Sequence, residues 1–247
     1  MLERRYRFFQ AVIFLGLFLF LVTKLINTQL LWYINKRFII PTEIGILLLA
    51  ILMQRLFMEA RSMSKPPQDE EHVQHEHKPA AINLWILSIP LLIGVLIPAK
   101  PLDSTAVSAK GLTTTSALIS SNSSSRPFET ESEQRNVLAW VKLFYFEKDL
   151  TPYTGQKASV IGFVYLDDRL PKGQFFVSRF ILACCAADAY AVGMIVEPPA
   201  GTSIKQDEWL QVKGPVEVVS FDGHNSPLIR AETITPVSQP DQPYLYP

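Results

Sequence analysis

The chain carries two cysteines, and they are neighbours: Cys184 and Cys185, inside the run "FILACCAADAYAVGMIV" from Phe180 to Val196. Three chemistries are open to such a pair. In a regular strand successive side chains point to opposite faces, so one cysteine would pack as a small buried hydrophobe while the other faces out. An oxidised pair would be strained, because consecutive Cα atoms lie about 3.8 Å apart and ordinary disulfides need about 4.4 Å or more. Such a bridge is easily reduced. A bulge or turn beginning at Cys185 would instead swing both sulfurs to one side, with Asp188 three residues on as a third ligand. Two thiolates and a carboxylate suit a borderline divalent ion such as zinc. Ala186 and Ala187 leave room around the pair, and Asp167, Asp168 and His224 are candidates for a fourth ligand.

A second constellation lies upstream in "KPPQDEEHVQHEHKP", residues 65–79, where His72, His75 and His77 account for three of the four histidines. Asp69, Glu70 and Glu71 stand beside them. Imidazoles and carboxylates this close can wrap a divalent metal without a fold, at modest affinity; the alternative is a solvated polar loop. There is no G-x-S-x-G, no phosphate-binding glycine loop, and no histidine near the cysteines in sequence to act as a base. The expectation is a protein that is not an enzyme.

The elements that must position these residues divide the 247-residue chain in two. Three apolar runs, residues 8–26, 38–57 and 80–98, each approach the roughly 20 residues that a helix needs to cross a bilayer core. None shows a polar face, so three transmembrane helices are expected within residues 1–100. Arg4, Arg5 and Arg7 resemble the basic start of a signal peptide, but no small-residue cleavage site follows, and the first run reads as an uncleaved anchor. With the N-terminus in the cytoplasm, seven Lys and Arg flank the inner helix ends and five the outer ones. That bias places everything after Pro98 outside the cytoplasm, in a protein of the plasma (inner) membrane.

Residues 101–134 read as a flexible linker, since thirteen Ser and Thr fall between Ser104 and Thr130. From residue 135 to 247 the composition becomes that of a small folded domain. A short leading helix in "NVLAWVKLFYF" precedes five β segments: "KASVIGFVYLD", "GQFFVSRFILACC", "AVGMIVEPP", "EWLQVKGPVEVVSF" and "SPLIRAETITPV". Interior glycines Gly162 and Gly214 suit strands that bend sharply, as in a small OB-like barrel. The fold class expected is therefore membrane-anchored α + β. From Gln134 onward ten Lys and Arg face twelve Asp and Glu, so the basic groove that nucleic-acid binding needs is missing.

Several stretches taken together carry a resemblance: the three apolar runs with a His-rich second loop, "PLDS" and "KG" after the last run, "GFVYLDDRLPKGQFFVSRFILACCAADA", and a closing "PYLYP". With these the chain resembles the YcgQ family of bacterial membrane proteins, which has no assigned biochemical function. Its sharpest element is Arg179, Phe180 and Ile181, then Cys184 to Ala189. Family members are usually encoded beside a multi-span permease of the YcgR type. The resemblance therefore implies such a permease as partner, with membrane lipid around the helices and an accessory role for this chain.

Overall fold

The computed structural model describes residues 2–62, 81–112 and 131–247. The His-rich loop with His72, His75 and His77 lies outside these residues, as does most of the Ser/Thr-rich stretch. The chain divides into two units: Met1–Leu31 with Lys36–Lys100, and Trp32–Asn35 with Pro101–Pro247.

In the first unit, α1 (Leu2–Ile26) and α2 (Ile39–Ser62) pair as an antiparallel hairpin, with Arg7 ion-paired to Glu59 and Phe8 edge-on to Phe57. Arg5–Ile26 and Lys36–Glu59 are long and apolar enough to cross a bilayer. The third apolar run departs from expectation. It forms α3 (Ala81–Leu96), 16 residues with Pro90 inside, about 24 Å long at 1.5 Å per residue. By length, then, two candidate spans stand where three were expected.

The second unit is built on a β-barrel. Its strands are β1 (Lys157–Tyr165), β2 (Phe175–Ile181), β3 (Tyr190–Glu197), β4 (Trp209–Phe221), β5 (His224–Arg230), β6 (Thr233–Pro236) and β7 (Tyr244–Leu245). The neighbour order β1-β2-β3-β5-β4 closes on itself because β1 also pairs β4, over Lys157–Phe163. This is the five-stranded barrel the sequence predicts. Two details differ. The last predicted segment splits, because Ala231 N–H turns to Glu197 and Glu232 N–H to Lys213, and β6 resumes pairing with β4 over Leu210–Lys213 one residue out of the β5 register. The terminal Tyr244–Leu245 adds a short strand parallel to β2.

Two glycines make the closure possible. A Cβ at Gly162 would stand 2.6 Å from the Ser178 carbonyl, and one at Gly214 2.1 Å from that of Arg230. Val160, Val177, Val192, Met194, Val212 and Ile229 fill the barrel. The leading helix, α5 (Val137–Phe146), covers this core with Trp140, Leu143 and Phe144, its first turn capped by the Asn136 carboxamide on Ala139 N–H.

Residues 101–112, expected to be tether, are instead docked. Ser104–Lys110 forms α4, and its Val107 is fully buried against Phe163, Phe180, Leu182 and Tyr244 on the outside of the barrel. Asp207, at positive φ in a tight turn, accepts both the N–H and the hydroxyl of Ser104. Trp32 packs on the same outer cluster.

Candidate functional site

The strand that carries the cysteine region stops early. β2 ends at Ile181, after which Leu182 N–H donates to Leu245 and the chain leaves the sheet. Cys184 and Cys185 therefore sit in a loop and not, as strand geometry would have it, one in the core and one out. Cys184 is exposed, Cys185 is partly exposed, and both are free thiols. A single turn, Ala186–Asp188, closes the loop before β3.

That turn gathers the donors. The ligand atoms of Cys184, Cys185 and Asp188 lie within 4.8 Å of one another, the one such group among the described residues. Tetrahedral zinc with bonds of about 2.3 Å to sulfur sets ligand separations near 3.8 Å, so a small contraction would bring the three into ligating range. The Asp188 carboxylate is fixed from below: one oxygen accepts the Cys184 N–H at 2.8 Å and the other the Cys185 N–H at 3.2 Å.

The two thiols are driven in opposite directions. The single Cys184 S–H faces both the Asp188 carboxylate and the Cys185 sulfur, and the carboxylate above all pushes its pKa well above the usual thiol value. The Cys185 sulfur accepts the Ala187 N–H, the Cys184 thiol and the Asp188 N–H, which together hold its pKa below the usual value. Partial burial pushes Asp188 up, but hydrogen bonds from the Cys184 thiol and from backbone amides outweigh it and keep the carboxyl below its ordinary range. Cys185 is thus the more acidic of the two thiols and Cys184 the less acidic, with the Asp188 carboxylate beside both.

Two sequence-distant segments form the walls. On one side, Ile34 bridges Cys185, Asn35 N–H donates to the Cys184 carbonyl at 2.9 Å, and Ala186 N–H donates to Tyr33 at 2.8 Å. The Asn35 carboxamide donates to the carbonyls of Leu182 and Ala183, both at 3.0 Å. On the other side, the Lys110 ammonium donates to the carbonyls of Ala186, Ala187 and Ala189. Nothing in the sequence points to Asn35 or Lys110. Each is a common residue type in a segment that reads as a connector.

The candidate fourth ligands are not brought to the cluster. Asp167 is ion-paired to Arg169, which also reaches Asp222. His224 opens β5 opposite Phe221 and lines a separate groove of about 430 Å³ with Tyr145, Lys148 and Asn225. Asp168 belongs to the same turn as Asp167 and makes no part of the three-residue group. The cluster therefore supplies three protein donors and leaves a fourth position to solvent or a partner.

Comparison with known proteins places the chain in a family. Residues 9–113 match the DUF1980 N-terminal domain and residues 125–247 the DUF1980 C-terminal domain. The chain is 25% identical over 284 aligned positions to the UPF0703 protein YcgQ of Bacillus subtilis (strain 168), covering 96% of this chain and 99% of that protein. It is 27% identical over 196 positions to a Streptococcus mutans serotype c protein named "Putative two-component membrane permease complex subunit", covering 65% of this chain and 72% of that one. The two matched regions leave out only the middle of the Ser/Thr-rich stretch and the chain's first residues, and the protein belongs to the YcgQ-like family of paired DUF1980 N- and C-terminal domains.

Proposed function

We propose that the protein is the accessory subunit of a membrane permease and that Cys184, Cys185 and Asp188 capture a divalent cation, zinc being the best chemical match, outside the cytoplasm. The observation that carries the reading is the gathered three-donor cluster with an exposed thiol. Closed structural zinc sites use four protein ligands, whereas a site with three keeps a position open for exchange. An open, surface-facing site suits delivery better than permanent storage. The Streptococcus mutans relative, named as a permease complex subunit, supports the partner, which we take to be a multi-span permease of the YcgR type. No catalytic role is assigned. His72, His75 and His77 would act as a weak auxiliary metal loop on the opposite side of the membrane.

Three crossings fit this role better than two. Trp32–Asn35 belong to the barrel unit although the chain on either side enters α1 and α2. If α2 crosses away from that unit, one further crossing must bring the chain back to Pro101. α3 is the apolar helix available for it, and a span this short is accommodated by local bilayer thinning at modest cost. The N-terminus then lies in the cytoplasm and the barrel outside it.

A second reading keeps the site but drops the permease: a membrane-anchored thiol or metal-binding protein that acts without it. The thiolate-prone Cys185 favours it, since such a sulfur is also ready for exchange chemistry. Purification from native membranes in mild detergent separates the two. Recovery of a multi-span membrane protein in constant ratio supports the accessory role, and a solitary homogeneous particle contradicts it.

A further inference from the structure

The loop that presents the two thiols has an ordered polarity. The amides of Cys184 and Cys185 donate to the Asp188 carboxylate, and those of Ala187 and Asp188 face the Cys185 sulfur, with Asp188 N–H also reaching the Cys185 carbonyl at 3.1 Å within the turn. Apart from that of Cys185, the loop's carbonyls from Leu182 to Ala187, and that of Ala189, point away and are held there. Leu182 and Ala183 are held by the Asn35 carboxamide, Cys184 by the Asn35 N–H, and Ala186, Ala187 and Ala189 by Lys110. Without these outer donors the same carbonyls would have to seek water, and the peptide planes that aim the amides inward would be free to rotate.

Asn35 is the central outer donor. It is 1% exposed, comes from about 150 residues upstream, and engages three consecutive carbonyls of the loop. A buried carboxamide that satisfies three carbonyls of another segment fixes both their orientation and their spacing. Its position in the chain adds the consequence. Residues 32–35 are the connection between α1 and α2, yet they belong to the barrel unit.

We propose that Tyr33–Asn35 is a clamp that sets the cysteine loop in its ligand-competent form, with Asn35 as the positioning residue, so that metal capture and seating of the α1–α2 connection are linked. The proposal rests on the reading of Cys184, Cys185 and Asp188 as a metal site. Linkage is reciprocal: if the seated clamp strengthens ligation, the metal must strengthen seating by the same factor. Occupancy of the site is thereby reported to the connection between the first two helices, the part of the barrel unit joined directly to the membrane region.

The test uses the full-length protein in detergent with zinc as the probe. Asn35→Asp keeps the shape but replaces the amide donors with acceptors that face carbonyls. It is expected to weaken zinc binding by about 10–100-fold, the range for outer residues that orient metal ligands. Hydrogen exchange at the Cys184 and Cys185 amides should quicken, because their peptide planes are no longer held toward Asp188. A merely structural role would lower the melting temperature and leave these two amides no faster than the rest of the barrel. In the unsubstituted protein, zinc should slow hydrogen exchange at the Asn35 and Ala186 amides, a readout that holds even if Asn35→Asp does not fold. If zinc binds the unsubstituted protein yet slows exchange at neither the Asn35 nor the Ala186 amide, or if Asn35→Asp folds with unchanged zinc affinity and unchanged exchange at Cys184 and Cys185, the clamp is refuted while the metal site stands. If zinc does not bind the unsubstituted protein, the metal site and the clamp fall together.

Discussion

Cys184 and Cys185 share a peptide bond and still hold their protons differently, because one faces a carboxylate and the other faces backbone amides. Metal binding must displace the proton that Cys184 shares with Asp188. Zinc affinity should therefore rise with pH by up to about tenfold per unit for each proton released, and a competing chromophoric chelator titrated between about pH 6 and 8 would measure the slope. A pH-independent affinity would mean that Cys184 is not a ligand. Asp188→Asn removes the anion that raises Cys184, so the Cys184 thiol should alkylate at lower pH than in the parent protein, with zinc binding lost or greatly weakened. At this scale the sequence was legible in part. The spacing of Cys184, Cys185 and Asp188 named the cluster, since a turn at Cys185 is what brings the three together. That the cysteines leave the strand was not legible. The apolar run continues through Leu182, and what ends β2 is a hand-over of hydrogen bonds to Leu245 and Asn35, both remote in sequence.

The barrel was readable from its strands because alternating Val, Ile and Phe are broken by turn residues, and Gly162 and Gly214 mark where strands cross closely. Gly214→Ala should destabilise the barrel unit by about 3 kcal/mol, the cost of driving a methyl group into packed structure, as the Arg230 carbonyl cannot retreat without breaking the β4–β5 ladder. Chemical denaturation of the full-length protein would read it; an unchanged midpoint would contradict the close approach. The docked α4 was missed for a physical reason. Its composition is that of a linker, and its order comes from Val107 in the outer cluster and from Asp207 capping Ser104, neither visible locally. Asp207→Ala should cost about 1–3 kcal/mol, because it strands the partly buried Ser104 N–H and hydroxyl, and lower the melting temperature by several degrees. The length of α3 was not legible, because the apolar run covers residues 80–98 whereas the helix itself is 16 residues, Ala81–Leu96.

For the whole molecule, the claims are orientation, partnership and metal capture. With two cysteines in the chain, both in the barrel unit, a membrane-impermeant maleimide is an unambiguous reporter. Intact cells should label at Cys184, and labelling that appears only after lysis would invert the orientation. The most direct test of the central claim is zinc stoichiometry in the full-length protein in mild detergent, with His72, His75 and His77 changed to alanine so that the upstream loop is silent. About one ion per chain is expected, and none once Cys185→Ala is added to the same background, with the protein still folded. Zinc retained at equal affinity after Cys185→Ala, or no zinc bound before it, would contradict the account.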